Sequence, residues 1–456
     1  MRRVVKVSRI RIIITIIVVV LTTLLTGCTG KEPNEIAYVV ALGIDSTDDD
    51  NYKITIQYAN TTQISGGASE SGGKAGSEIV DNVTIEAPNI YAGVGLANNI
   101  VSKSFSMSHA KLIVFSKEIA EKGVKDMIET LVRSEEIRPD VFIAVANTTA
   151  NDYLTSVNPE MEVNPAQYYQ LIYQKNQLVG IPDGQLREFF TGLYTDNYDS
   201  ILPIAGVIEG SGGNSQNDDK GQSKDSQNEG SEGSSESLDS FESKSSNEKD
   251  ENEKEKDAEK NTSKYEYDIK NYVGGETAIE KKNKAEAIGA AVFEKDKMVG
   301  ELGEVETEIC KMLKGDYIYS YLTYYNNDTP DIPITVKTTQ QKKPKYKIDT
   351  DKKTVDIELY IESDLYSLPA DYNVENKIED FERDVANYTS SACTEFINNF
   401  TKKYNSDILK LNEKIKYKFL TNNQYNWFKK NVGWSEYKFS VCTNFKVRRT
   451  GLIVRE

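Results

Sequence analysis

From Glu209 to Lys264 the sequence stops supplying the material of a core. Only Leu238, Phe241 and Ala258 are apolar there, and the rest is almost wholly Gly, Ser, Asn, Gln, Glu, Asp and Lys. Such a stretch buries too little surface to offset the entropy of ordering it, so disorder is expected. What folds must be built from the parts on either side. The stretch carries 16 acids against 8 bases, half of the chain's net charge of −16, which leaves the flanking parts only mildly acidic. That balance argues against a nucleic-acid partner, whose phosphates require a basic surface.

The N-terminus sets the compartment. Arg2, Arg3, Lys6, Arg9 and Arg11 precede an apolar run from Ile12 to Leu25, and the run ends in Leu25-Thr26-Gly27-Cys28. This is the pattern of a secretory signal. At ~1.5 Å per residue the run covers roughly two thirds of a ~30 Å hydrocarbon layer, which is short for a permanent span. Its ending is similar to a lipobox, in which the cysteine takes a diacylglyceryl group and becomes the new amino terminus. Two acyl chains hold a protein stably where one is marginal. Cys28 is therefore the expected lipidation site; the alternative is a short uncleaved anchor with an incidental cysteine. Loss of residues 1–27 leaves 429 of the 456 residues, enough for two or three domains. Cys310, Cys393 and Cys442 form neither a C-x-x-C pair nor a disulfide framework. One disulfide and three buried thiols both remain open.

Periodicity places the elements. Ile36 to Ile44 is an apolar run, and Tyr52, Ile54, Ile56 and Tyr58 alternate with Lys53, Thr55 and Gln57, which predicts a β-hairpin with one face buried. Residues 65–78 are a flexible loop by composition. A strand at Val83 to Ile85 and a helix around Tyr91 to Val101 follow. Ala110 to Phe115 reads as a strand, Ser116 as a cap, and Val124, Met127, Ile128 and Leu131 as one stripe of a helix. With the strand Val141 to Ala146 they make a βαβ unit in a mixed sheet. Residues 165–194 look helical, and Leu202-Pro203-Ile204 is expected to end this part of the chain. Beyond the acidic stretch, apolar runs flanking Glu294 to Lys297 signal a hairpin. Val305, Ile309, Met312 and Leu313 share one side of a helix. Strands are expected at Tyr317 to Tyr325, Ile332 to Lys337 and Val355 to Ile361. Ile378, Phe381, Val385, Tyr388, Ala392, Phe396 and Phe400 then mark a helix of roughly 30 residues, and Phe439 to Val447 a last strand. One long helix crossing an antiparallel sheet completes an α+β fold in several domains, with mixed and antiparallel sheets packed against helices.

Catalytic chemistry is not written in the sequence. The sole histidine, His109, has no motif around it, so a Ser-His-Asp triad is not indicated. One histidine and three scattered cysteines do not make a zinc site. Gly93-Val94-Gly95 and Gly274-Gly275 lack the rest of a phosphate loop. Asp48-Asp49-Asp50 lacks the glycine and distal glutamate of a calcium loop. No spacing singles out a carboxylate pair. Trp427 and Trp434, around Lys429-Lys430, are expected to pack under the terminal strand, with ligand stacking or a membrane-proximal belt as the other reading. The tyrosines from 317 to 325 are expected to pair across strands. No catalytic, cofactor or metal residue is named.

The blocks in order are the lipobox, EIAYVVALGID, KITIQYA, SMSHAKLIVFSKEIAEKGVKDMIETLVRSEEIRPDVFIAVA, IGAAVFEKDKMVGEL, a long helix, a late tryptophan and FKVRRTGLI. Together they resemble the Ger(x)C family, the lipoprotein C subunit of spore germinant receptors. The resemblance implies a three-domain α+β protein without catalysis, held by lipid on Cys28 at the outer face of the spore inner membrane. It implies A and B integral-membrane partner subunits. Carried onto this chain it suggests a signal peptide at 1–27, a tether at 28–34, and an N-terminal domain at 35–208. The acidic insertion at 209–264, a middle domain at 265–335 and a C-terminal domain at 336–456 follow. A glycine-containing segment that commonly follows the long helix reads here as Asp407-Ile408-Leu409-Lys410-Leu411-Asn412, which puts the local geometry in question. The competing reading is a solute-binding lipoprotein of a nutrient importer, which would show strand-helix repeats in two lobes rather than the patterning of the second half.

Overall fold

In the computed structural model of the chain, the described residues are 13–17, 35–49, 51–59, 80–158, 162, 164–174, 180–195, 197–208, 271–277, 283–325, 333–367, 377–404 and 406–450. The loop at 65–78 and the acidic stretch 209–264 lie outside them, as does all of the expected signal except the helical residues 13–17.

The first sheet has nine strands: β1 (Ile36–Ser46), β2 (Tyr52–Ala59), β3 (Val80–Ala87), β4 (Ser104–Ser106), β5 (Leu112–Ser116), β6 (Phe142–Ala146), β7 (Ile201–Val207), β8 (Ala285–Glu294) and β9 (Lys297–Leu302). Their order is β3-β2-β1-β5-β6-β7-β8-β9, with β4 beside β1. The helices among them are α1 (Ile90–Ala97), α2 (Lys117–Lys122), α3 (Lys125–Val132), α4 (Ala150–Ser156), α5 (Pro165–Gln174) and α6 (Leu186–Thr195). The expected hairpins form at β1–β2 and β8–β9. So does the βαβ unit: β5 and β6 run parallel, and Ser116 Oγ accepts from Ile119 N–H at 3.4 Å. The helix between them is two helices, broken at Gly123, whose φ of +124° an L side chain rarely adopts.

The centre of this sheet is covered on both faces, so β5 and β6 are buried at every position. The same cover corrects the reading of β2. Its polar side is not solvated, because α4 and α5 lie over it. Thr55 and Gln57 are buried, Gln57 Nε2 donates to Leu154 O at 2.8 Å, and Gln57 Oε1 accepts from Tyr169 OH at 2.5 Å.

Leu202-Pro203-Ile204 is a strand inside the sheet. β7 pairs with β6 only at Ile204 and Ala205. Beside Pro203, the neighbouring edge of β6 is taken by residues 184–186: Ile143 N–H donates to Gly184 O at 2.7 Å and Leu186 N–H to Val141 O at 2.9 Å. A proline fits there because the ladder asks it for no donor on that side.

On its other side β7 pairs antiparallel with β8, from Ile201↔Val292 to Val207↔Ala285. The chain therefore leaves this sheet before the acidic stretch and rejoins it afterwards. Residues 271–277 cross β7 at Gly206, where a Cβ would lie 2.0 Å from Gly274 C. Exit and return are thus neighbours, and deletion of residues 212–262 should leave the melting temperature nearly unchanged. Calorimetry on the deletion variant checks this; a fall of several degrees would show that the segment contributes packing.

The second sheet contains β10 (Tyr319–Tyr325), β11 (Pro333–Gln340), β12 (Lys345–Asp349), β13 (Thr354–Ser367) and β14 (Lys438–Arg449), ordered β10-β11-β13-β12 with β14 beside β13. α7 (Glu304–Lys314) precedes it, and α8 (Ile378–Lys403), 26 residues long, packs across it. The expected stripe on α8 is buried at Phe381, Val385, Tyr388, Phe396 and Phe400. The sheet is not purely antiparallel, because β14 pairs with β13 in parallel. A helix of this length carries the chain back along the sheet, and a parallel neighbour needs such a crossover. The tyrosines of β10 meet partners across the sheet and on the helix above it: Lys337 of β11 lies over the Tyr319 ring at 4.5 Å. Tyr324 packs on Phe381 and Tyr388 of α8, and Tyr321 meets Tyr366 of β13 with ring centroids 5.5 Å apart.

Candidate functional site

Cys28 lies outside the described residues. Of the other groups singled out in the sequence, His109 stacks edge-on against Tyr38 at 4.9 Å and shares a hydrogen bond with Ser108 Oγ at 3.0 Å. Cys310 and Cys393 are buried free thiols, and burial pushes each up to about 12, so neither is a nucleophile. Cys442 is free and exposed, which leaves the three without a disulfide. Trp434 is buried against Phe428 and Tyr437, but Trp427 points outward at 64 % exposure, against the expectation that both pack under the last strand. Among the described residues no group of three or more His, Cys, Asp or Glu is placed to hold a metal ion.

What the structure does bring together is a polar cleft of about 550 Å³, whose walls are residues 182–202, the end of α7 with the turn after it, Gln340 and Lys410. Asp183, Glu188, Lys311, Lys314, Asp316 and Lys410 all line it. α7 supplies the charge because its buried side differs from the expected one. Thr307, Cys310, Lys311, Met312 and Leu313 are buried, while Val305 and Ile309 are half-buried. Lys311 Nζ donates to Ile181 O at 3.0 Å, and burial lowers its amine to about 8. On the same helix burial raises Glu308 to about 7, although Ser320 Oγ donates to it at 2.7 Å. Cations and carboxylates facing one another suit a small polar or zwitterionic solute, or a solvated seam.

A clasp closes the floor of this seam. Asp199 Oδ1 accepts from Lys295 N–H at 2.9 Å and its Oδ2 from Asp407 N–H at 2.8 Å. Asp407 in turn accepts from the N–H groups of Leu411 and Asn412, both at 2.8 Å. Ser406 Oγ donates to Phe293 O at 2.9 Å. Residues 406–412 are thereby pinned to the β8–β9 turn and to the approach to β7. The turn needs a left-handed residue, and Lys410 supplies it at φ 56°, ψ 38°. Here the segment departs from the glycine-containing family pattern. A lysine in this glycine-favouring conformation is held by what its side chain reaches: Glu188 Oε2 at 3.2 Å and the ring of Tyr198 at 4.1 Å. No periodicity in the sequence marks this position.

Residues 30–207 match the family profile described as "Spore germination protein N-terminal domain". Residues 288–451 match "Spore germination B3/ GerAC like, C-terminal", so the two cover about three quarters of the chain. The chain belongs to the Ger(x)C family. Relatives from Bacillus subtilis (strain 168) include spore germination protein KC, 26% identical over 35% of this chain and 42% of its own length. Another is putative spore germination protein YfkR, 28% identical over 32% of this chain and 37% of its own. The chain thus aligns with about two fifths of the length of these relatives. The crystal structure of the GerBC protein aligns with 89% of this chain and 96% of that one, at 15% identity and a TM-score of 0.47. In this Ger(x)C chain the first profile ends with β7 and the second begins within β8, so the sheet is shared by the two halves and the acidic stretch falls between them.

Proposed function

We propose that this chain is a non-enzymatic, lipid-anchored subunit of a nutrient germinant receptor, acting in spore germination with A and B membrane subunits at the outer face of the spore inner membrane. The observation that carries the reading is the succession of two spore-germination profiles, at 30–207 and 288–451, within one chain. The basic and apolar N-terminus ending at Cys28 supports the anchor. Confinement to the membrane plane raises the frequency of encounter with membrane partners without any new contact.

The test is germination of spores lacking this protein in a strain without related receptors, followed as loss of optical density and release of dipicolinate over amino acids, sugars and salts. Loss of response to one germinant class is the expected result. An unchanged response to every nutrient would overturn the reading. Cys28→Ala should leave the fold intact and release or mislocalise the protein, because the two acyl chains that make anchoring stable are then missing. Fractionation with immunoblotting checks it. Full membrane retention with normal germination would count against lipidation at this cysteine.

A further inference from the structure

Beyond the clasp the chain forms a small lobe of α9 (Leu411–Ile415), a 3-10 turn (Lys416–Lys418) and α10 (Asn422–Asn431). Its inner side is apolar and closed. Ile415, Tyr425, Phe428 and Trp434 are buried, and the Phe419 ring lies 5.7 Å from Tyr425 and 5.1 Å from Phe428. Its outer side is polar but carries three exposed large apolar side chains. Leu420 at 94 % and Tyr417 at 81 % are the most exposed large apolar side chains among the described residues, and Trp427 beside them is 64 % exposed. Three such groups within residues 417–427 differ from the single apolar side chains scattered over every protein surface.

The charge around them opposes that of the whole molecule. The chain is −16 overall, yet residues 410–430 hold six lysines and one acid, Glu413. Lys416, Lys418 and Lys430 are exposed. Lys416 lies 5.9 Å from the Tyr425 ring centroid, and Lys418 donates to Ile348 O of β12, at the rim of the lobe. The next acid, Glu436, is paired with Lys353. Tyr and Trp with an apolar body and a polar tip, set among lysines, match the chemistry of a phospholipid headgroup layer.

The position of the lobe is the second observation. β1, β5, β6 and β7 run parallel, and their registers put Ala41, Leu112, Phe142 and Ile201 at one level. β1 begins at Ile36, further toward the end of the sheet where β7 begins and where the β8–β9 turn lies. The lobe is fastened at that same end, through the clasp to Asp199 and Lys295, and through Tyr425 OH and Lys429 Nζ to Asn197 Oδ1 at 3.1 and 3.2 Å. From Cys28 to Ile36 the chain can span at most about 28 Å. Attachment at Cys28 keeps this end of the fold near the bilayer.

We propose that the lobe docks on an anionic phospholipid surface, with Tyr417, Leu420 and Trp427 at the lipid and Lys416, Lys418 and Lys430 among the headgroups. The contact rests on attachment near residue 28 and is independent of which receptor the chain serves. It fixes the orientation of the folded part over the membrane, which a tether alone does not.

The chain has two tryptophans, and only Trp427 is exposed, so fluorescence reads the contact directly. The full-length chain is reconstituted in vesicles of phosphatidylcholine mixed with phosphatidylglycerol, part of the phosphatidylcholine carrying bromine on its acyl chains. Quenching of the emission is expected, and Trp427→Phe should abolish it while Trp434 continues to emit. Reversal of Lys416, Lys418 and Lys430 to glutamate should lower the ratio of docked to undocked lobe by about five-fold for each lysine removed. Vesicles of phosphatidylcholine alone should quench less. These sites are exposed, and the near-ultraviolet signal of Trp434 verifies the fold of each variant. An unquenched wild type, quenching that survives Trp427→Phe, or equal quenching on neutral vesicles would overturn the proposal. So would shielding of Trp427 that requires a second protein.

Discussion

Gly206→Ala is expected to destabilise the folded chain by about 3 kcal/mol or more, at the upper end of what overpacking costs. The atoms a Cβ would meet are backbone, Gly274 C and Gly275 N, both at 2.0 Å, so no side-chain rotation relieves the clash. Residues 271–277 are not loose enough to retreat: Gly274 N–H donates to Ile288 O at 3.0 Å, and Tyr272 O accepts from Glu304 N–H at 2.8 Å. Gly95 provides the contrast. It lies in α1 with nothing within 4 Å of its Cβ position, so Gly95→Ala should be neutral or stabilise by up to ~1 kcal/mol. Denaturant unfolding of the two variants measures the difference, and equal stabilities would refute the crossing of β7 by residues 271–277.

The second large effect concerns Asp407. Burial holds its carboxyl up at about 7 against an ordinary value of 3.8, with Asp199 adding to the rise and the N–H groups of Asn412 and Leu411 opposing it. Between these values the folded chain binds the proton that the unfolded chain has released. The stability carried by that proton is complete below about pH 3.8 and is lost as pH climbs through about 7. Asp407→Asn has no such proton. Wild type should therefore lose about 4 kcal/mol relative to this variant on going from acid to mildly alkaline solution. Taking the difference removes the contribution of Glu308, which burial also raises to about 7. Chemical denaturation across the pH range reads the result, and a flat difference would sink it. Asp407→Ala should cost about 2–4 kcal/mol in acid solution, since the Leu411 and Asn412 N–H groups lose their acceptor, and the cost should shrink as pH climbs through about 7 and wild type gives up its proton.

Much of this architecture could be read from the chain. Alternation over Tyr52 to Tyr58, the run Ala110 to Phe115 and the stripe from Phe381 to Phe400 are local patterns with one period each. They became the hairpin, the central strand and the long helix. What escaped depends on distant partners. Gln57 looks solvent-facing until Tyr169, 112 residues later, supplies its hydrogen bond. Pro203 looks like a boundary until residues 184–186 take over the edge of β6 beside it. The cleft assembles residues from near 183, 311, 340 and 410, and no window of sequence contains them. Lys410 in a left-handed turn is held by Glu188 and Tyr198, again beyond local reach. Trp427 was legible: Tyr425 and Phe428, three residues apart, define the inner side of α10, and position 427 falls well away from it.

The pairing of β7 with β8 also imposes an order of events on a chain that is synthesised from its N-terminus. When Val207 has emerged, one edge of β7, Ile-Leu-Pro-Ile-Ala-Gly-Val, still awaits its neighbour. That neighbour begins at Ala285 and is itself closed by β9 only at Leu302. Almost a hundred residues must follow before the sheet is sealed, and through that interval an apolar strand edge is available to any other strand nearby. The residues that emerge first in the interval are charged and contain three apolar side chains between 209 and 264. Their composition lacks the apolar and β-branched runs that compete for such an edge, so most of the gap between the two halves of the sheet is filled by sequence with little tendency to mispair.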